Sequence, residues 1–251
     1  MAQQRHLNNA PITEALIDFR VAPPNHKLDE TAKRRLEERL AGTYVLKGPI
    51  RVSQFILGVA PTGEGSSITS TEELGARYHS SDDKFVAQFQ SQGFTVSRLV
   101  PYTTWEHLRD EARRLWEFYV EALKPERVIR VACRYINNLR LPMQGGRHFE
   151  DFLTAAPAAP EKLPQAMLGF LKRVVIADYN EKAITILTQV LEHTQGISME
   201  AVPVILDIDV QSQETFAPTD AALWDCLDRL RRLKNAAFFE SIHEATAELY
   251  A

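Results

Sequence analysis

The sequence predicts an α+β fold: tandem β-α-β(3-4)-α units forming an antiparallel sheet with long helices on one face. Three observations predict it. A hairpin, a long amphipathic helix and a strand follow one another from Lys84 to Leu141. In several other stretches apolar and polar residues alternate, the period of half-buried strands. And the order strand, helix-like segment, several strands, long helix can be read twice, which divides the chain into an N-terminal half, 1–124, and a C-terminal half, 125–251, packed as one globular unit.

In chain order, Ala15, Ile17, Phe19 and Val21 alternate with Glu14, Leu16, Asp18 and Arg20, a first strand that Pro23-Pro24-Asn25 ends. Leu28, Ala32, Leu36 and Leu40 recur at helical spacing, and Gly42 stands where a helix stop wants positive φ. Tyr44 to Val59 reads as a strand interrupted at Gly48-Pro49, Pro61 to Ser67 as a Gly/Ser loop, and Leu74, Ala76 and Tyr78 as the next strand. Phe85, Ala87 and Phe89 then pair with Phe94 and Val96 around Ser91-Gln92-Gly93, a hairpin. Thr103 with Glu106 has the capping-box pattern. Behind it Trp105, Leu108, Ala112, Leu115, Trp116, Tyr119, Val120 and Leu123 form one helical stripe.

The second half opens on a strand with two distinct faces. Ile129, Val131, Cys133, Tyr135, Leu139 and Leu141 form a core face with Asn137 its one polar member; Arg130, Arg134, Asn138 and Arg140 share the other with Ala132 and Ile136. His148 to Leu153 suits a short helix and Ala155 to Pro164 an exposed connection, while Met167 to Tyr179 fits helix or strand, strand being favoured after Arg173. Ile184 to Val190 and Val204 to Val210 alternate as strands. Pro218-Thr219-Asp220 starts a last helix with Leu223, Leu227, Leu230 and Leu233, continued by Phe238, Ile242, Ala245 and Leu249 with Asn235 as a candidate break. Arg231, Arg232 and Lys234 read as a solvated helix side.

Composition excludes more than it assigns. With 251 residues, 45% hydrophobic and 25% charged, the chain has material for an ample core. A net charge of −4 argues against a general nucleic-acid binder. Cys133 and Cys226 make no disulfide framework, which fits a reduced, cytoplasmic setting. Nothing resembles a secretory leader or a bilayer-spanning run, so no membrane association is expected.

Catalytic signatures are missing, and no catalytic residue or cofactor is assigned. Gly63-Glu64-Gly65-Ser66-Ser67 lacks the Lys-Ser/Thr of a phosphate loop. The seven histidines show no zinc spacing, and no nucleophile elbow is present. Asp207 and Asp209 put two carboxylates on one strand face, a weak candidate for Mg²⁺ that needs a third ligand. The basic strand face carries more. Guanidinium forks suit phosphates and carboxylates, so Arg130, Arg134 and Arg140 beside Asn138 form a candidate anion site. Against that, Glu14 and Asp18 on the first strand can neutralise Arg130 and Arg134 across the sheet.

The segments NAPITEALIDFRV (9–21), RLVPYTTWEHLRDEARRLWEFYVEALKPERVIRVACRYINNLRLP (98–142) and WDCLDRLRRLKNAAFFESI (224–242) resemble the landmark segments of a sporadically distributed prokaryotic family with no assigned activity. That resemblance implies a bacterial or archaeal protein and supplies no site residues. In order of elements alone, the two halves resemble the duplicated TATA-binding protein fold, from which no DNA-binding residue is carried over. The sequence favours a non-enzymatic binding or regulatory protein that engages a protein partner or a second copy of itself. The alternatives are an anion- or nucleic-acid-binding protein using the arginine face, nucleic acid being the less favoured ligand, and an enzyme with a site assembled across the fold.

Overall fold

The computed structural model describes the chain except residues 23–27, 60–64, 165–166 and 193–199, and only the backbone at 54–59 and 65–70. The Pro23-Pro24-Asn25 stop, most of the Gly/Ser loop, His26 and His193 therefore lie outside the described residues. Nine strands form one antiparallel sheet: β1 Ile12–Val21, β2 Tyr44–Val59, β3 Gly65–Ser80, β4 Phe85–Gln90, β5 Gly93–Leu99, β6 Val128–Leu141, β7 Phe170–Asp178, β8 Ala183–Leu191 and β9 Val202–Ser212. The helices are α1 Glu30–Leu40, α2 Trp105–Leu123, α3 Ala221–Glu240 and α4 Glu244–Glu248. The chain is α+β, as its sequence predicts.

The strand order is β2-β3-β4-β5-β1-β6-β9-β8-β7. On each side of the β1–β6 pair, the outward sequence of neighbours runs backwards through the chain. The early helix that the second half's order calls for is reduced to a three-residue 3₁₀ turn, Phe149–Asp151.

Both long helices pack on one face of the sheet, and three aromatic rings fix them there. Phe19 of β1 meets Trp116 of α2 at 4.8 Å and Trp224 of α3 at 5.7 Å, both edge to face. Trp116 stacks on Tyr119, and its ring N–H donates to the Pro218 carbonyl (2.8 Å), which ties α2 to the approach of α3. Trp105 Nε1 donates to Asp228 Oδ1 at 2.8 Å, so the start of α2 is pinned to the middle of α3. Tryptophan buried in this way satisfies its one donor while keeping its area in the core.

Four local expectations are corrected. The N-cap of α2 is Thr104, whose hydroxyl accepts from His107 N, and not Thr103. Ile129 is 39% exposed while Val128 is fully buried, because the β1–β6 register shifts between Arg20 and Val21 and brings Val128 opposite Val21. Asn235 does not break α3; the helix runs to Glu240 and Ser241 caps it. Beyond that cap the chain turns into α4, which leaves Ala245 and Leu249 on the surface and buries Thr246 and Ala247.

Candidate functional site

The arginine face is built where β1, β6 and β9 lie side by side. β6 alternates with period two, so Arg130, Arg134, Asn138 and Arg140 emerge on the face away from the helices. Across β1 the register sets Asp18 opposite Ala132, diagonal to Arg130, and Arg130 Nη1 donates to Asp18 Oδ1 at 2.6 Å. Asp18 is also held by the Thr95 hydroxyl (2.7 Å) and lies 3.3 Å from Arg20. On the β9 side Asp209 stands 3.7 Å from Arg130, and the side chain of Gln211 accepts from Arg130 Nε.

Arg134 finds a different carboxylate from the expected one. Glu14 and Asp18 both lie diagonal to it across β1, yet neither makes an ion pair with it among the described residues. Instead both its Nε and Nη2 donate to Asp207, at 2.8 and 2.6 Å, a two-pronged fork that raises the Arg134 pKa. Asp207 is thereby engaged by a guanidinium. Burial pushes the Asp209 carboxyl up, with Arg130 and Arg134 opposing that rise. No group of three acids, histidines or cysteines among the described residues is arranged to hold a metal ion. Arg20, Arg130 and Arg134 thus interleave with Asp18, Asp207 and Asp209, three charges of each sign. Glu14, Asn138 and Arg140 stand outside this ladder: Arg140 is exposed, its backbone N–H donating to the Tyr250 hydroxyl, and Asn138 Oδ1 is buried without a hydrogen-bond partner among the described residues.

On the opposite face of β6 lies a cavity of about 670 Å³, walled by the N-terminal segment, the start of α2, Asn137 of β6 and the second half of α3. Backbone bonds from Ala2 N to Phe239 O and Ile242 O, and from Asn9 N to Tyr250 O, hold the N-terminal wall in place. Lys234 is the unusual residue. It is only 8% exposed, and its Nζ sits 3.6 Å from the centroid of the Tyr135 ring. Burial draws its pKa down to about 8; Cys133 opposes this in part, and Arg231 adds a smaller push downwards. Neither Lys234 nor Arg231 makes an ion pair among the described residues. Glu106, on the exposed rim, is the single carboxylate in the described wall. The Tyr135 hydroxyl meets that of Tyr102 at 3.1 Å, and burial holds the Tyr102 phenol at about 12. Asn137 is fixed by donation to Leu206 O at 2.9 Å. Trp105, under the Arg231 guanidinium at 5.7 Å, and Phe238 complete an aromatic wall around two cations.

No family model matches the chain, and no curated protein is significantly similar to it. A functional reading therefore rests on the chain's own geometry.

The sequence does not reveal the cavity, because Lys234 reads with Arg231 and Arg232 as part of a solvated side. Its spacing says otherwise. Leu223, Leu227, Leu230, Lys234 and Phe238 are successive members of one buried stripe, at steps of four, three, four and four. The stripe was legible; the charge of one member hid it.

Proposed function

We propose that the chain is a binding protein whose helix-side cavity takes a small molecule with an anionic head and a flat apolar body. Lys234 is the observation that carries this reading. A cation taken out of water costs several kcal/mol unless an opposite charge or strong hydrogen bonds offset it. The Tyr135 face offsets about 2 kcal/mol at most, which leaves an ammonium short of a partner. A carboxylate or phosphate in the cavity supplies that partner, with the Arg231 fork beside it. The volume suits a metabolite-sized ligand, since small-molecule sites run to roughly 300–1,000 Å³. The arginine ladder supports such a role less well, because its charges already balance one another.

The test is thermal stabilisation by a panel of aryl carboxylates and aryl phosphates. At least one is expected to raise the melting temperature of the wild-type protein. Lys234→Met and Arg231→Met should each weaken that binding at least tenfold, and Arg134→Met should leave it unchanged. A panel that leaves the wild type unmoved, or an effect that survives Lys234→Met, would sink the reading.

A further inference from the structure

The two edges of the sheet are unlike. β2, at one end, is broken by register shifts at Leu46/Gly48 and Ile50/Arg51 and carries Pro49 between Lys47 and Arg51, devices that discourage another strand from pairing there. β7, at the other end, carries Lys172 and Arg173 but has neither a register shift nor a proline. Its pairing with β8 runs without a shift from Phe170 to Asp178. Among the described residues no backbone hydrogen bond reaches it from the side away from β8. Its apolar side chains are exposed on both faces: Leu171 at 73%, Val175 at 60% and Ile176 at 46%.

We propose that this edge pairs with the β7 edge of a second copy of the chain, antiparallel, with Val175 opposite Val175. Symmetry selects the register. A two-fold axis normal to the sheet keeps each side chain on its own face, so paired residues must have numbers that sum to an even value, and one residue must face itself. With Val175 at the axis, Lys172 comes opposite Asp178 twice over, Val174 opposite Ile176, and Leu171 opposite Tyr179, which is 90% exposed at the start of the turn. Every exposed apolar side chain of the strand then meets an apolar neighbour or the stem of Arg173, and opposite charges directly across strands are favourable. Centring on Val174 instead sets Lys172 against Ile176; centring on Ile176 sets Val174 against Asp178. Asp178 accepts from Asn180 N and Glu181 N through Oδ1, which leaves its other oxygen for the neighbouring Lys172. The pairing joins two nine-stranded sheets into one continuous sheet and is independent of the cavity reading.

Sedimentation of the wild-type protein at tens of micromolar should give the mass of two chains. Val175→Lys, at an exposed position, should give single chains with an unchanged circular dichroism spectrum, because it sets two ammonium groups face to face at the axis. Single cysteines at positions 174, 175 and 176 then read the register under oxidation, with a short bifunctional thiol reagent in parallel. The native Cys133 and Cys226 are buried and give no background. Val175→Cys should cross-link efficiently, and Val174→Cys and Ile176→Cys at least tenfold less. A wild-type protein of one chain, a Val175→Lys protein that still pairs, or cross-linking centred on 174 or 176 would overturn the proposal.

Discussion

The two faces of β6 each gather cations, and the molecule treats them in opposite ways. On the open face Arg130 and Arg134 are each met by a carboxylate at 2.6 Å, and the neighbouring strands contribute the acids that balance them. On the helix face Lys234 lies against Tyr135 and makes no ion pair among the described residues. The first cluster has its partners within the fold; the second has no ion-pair partner among the described residues, which is the ground of the binding proposal. Local density of arginine, taken alone, does not separate these two cases.

The comparison can be broken most directly through the core that covers the helix face. Trp116→Ala should destabilise the protein by about 3 to 5 kcal/mol, read as the shift of the urea midpoint, since the ring packs on Phe19, Phe94 and Tyr119 together. A shift within the error of extrapolation would mean that this layer contributes little.

On the open face, Arg130→Ala should cost about 2 to 3 kcal/mol because it strands the buried Asp18 carboxylate. A double-mutant cycle should give Asp18 and Arg130 a coupling above the roughly 1 kcal/mol of a surface pair, and Asp18 and Arg134 a coupling near zero. Equal couplings would show that the ladder acts as a diffuse field and not as specific pairs.

Lys234→Met sharpens the contrast with the opposite sign. Replacing an unpaired buried charge by an apolar side chain of similar length should raise stability at neutral pH by about 1 to 3 kcal/mol, while abolishing anion binding. A loss of stability would mean that the ammonium is satisfied within the fold.

The smallest effect is in pH dependence. The folded Lys234 releases its proton near pH 8 and the unfolded chain near 10.5, so between those values the unfolded state binds more protons and stability rises with pH. Cys133, pushed up to about 12 by burial, acts the other way: above about pH 9 the unfolded thiol has lost a proton that the folded one keeps. Cys226 and buried phenols such as Tyr102 are raised by burial too and act with Cys133, so the wild-type profile sets the rise from Lys234 against their combined fall. Lys234→Met removes the rise and also the ammonium that holds the Cys133 thiol down, so its stability declines more steeply between pH 8 and 10.5. Parallel profiles for the two proteins would rule out a depressed lysine pKa.

Much of the fold was legible because its strands are half-buried and so alternate visibly, as β1, β6 and β9 do. β7 was ambiguous for the complementary reason: an edge strand with Val174, Val175 and Ile176 in succession has no buried face to impose a period. The existence of an arginine face could be read from β6 alone. Asp18 as a partner for Arg130 could be read from β1, but Asp207 as the partner of Arg134 could not, since that follows from the placement of β9 beside β6, a pairing between residues far apart in the chain. Lys234 shows the reverse failure, a helical period overridden by the habit of placing lysine in water.

The position of β1 between β5 and β6 also sets a clock. As the chain emerges during synthesis, β1 is among the first elements made, yet both strands that flank it are made later, β5 after Gln92 and β6 after Arg127. At about 5 to 20 residues per second, its Ala15-Ile17-Phe19 face waits several seconds for its first neighbour and longer for its second. The centre of the finished sheet is thus the part of the nascent chain most in need of protection, and conditions that slow translation should lower the soluble yield before they affect the folded protein.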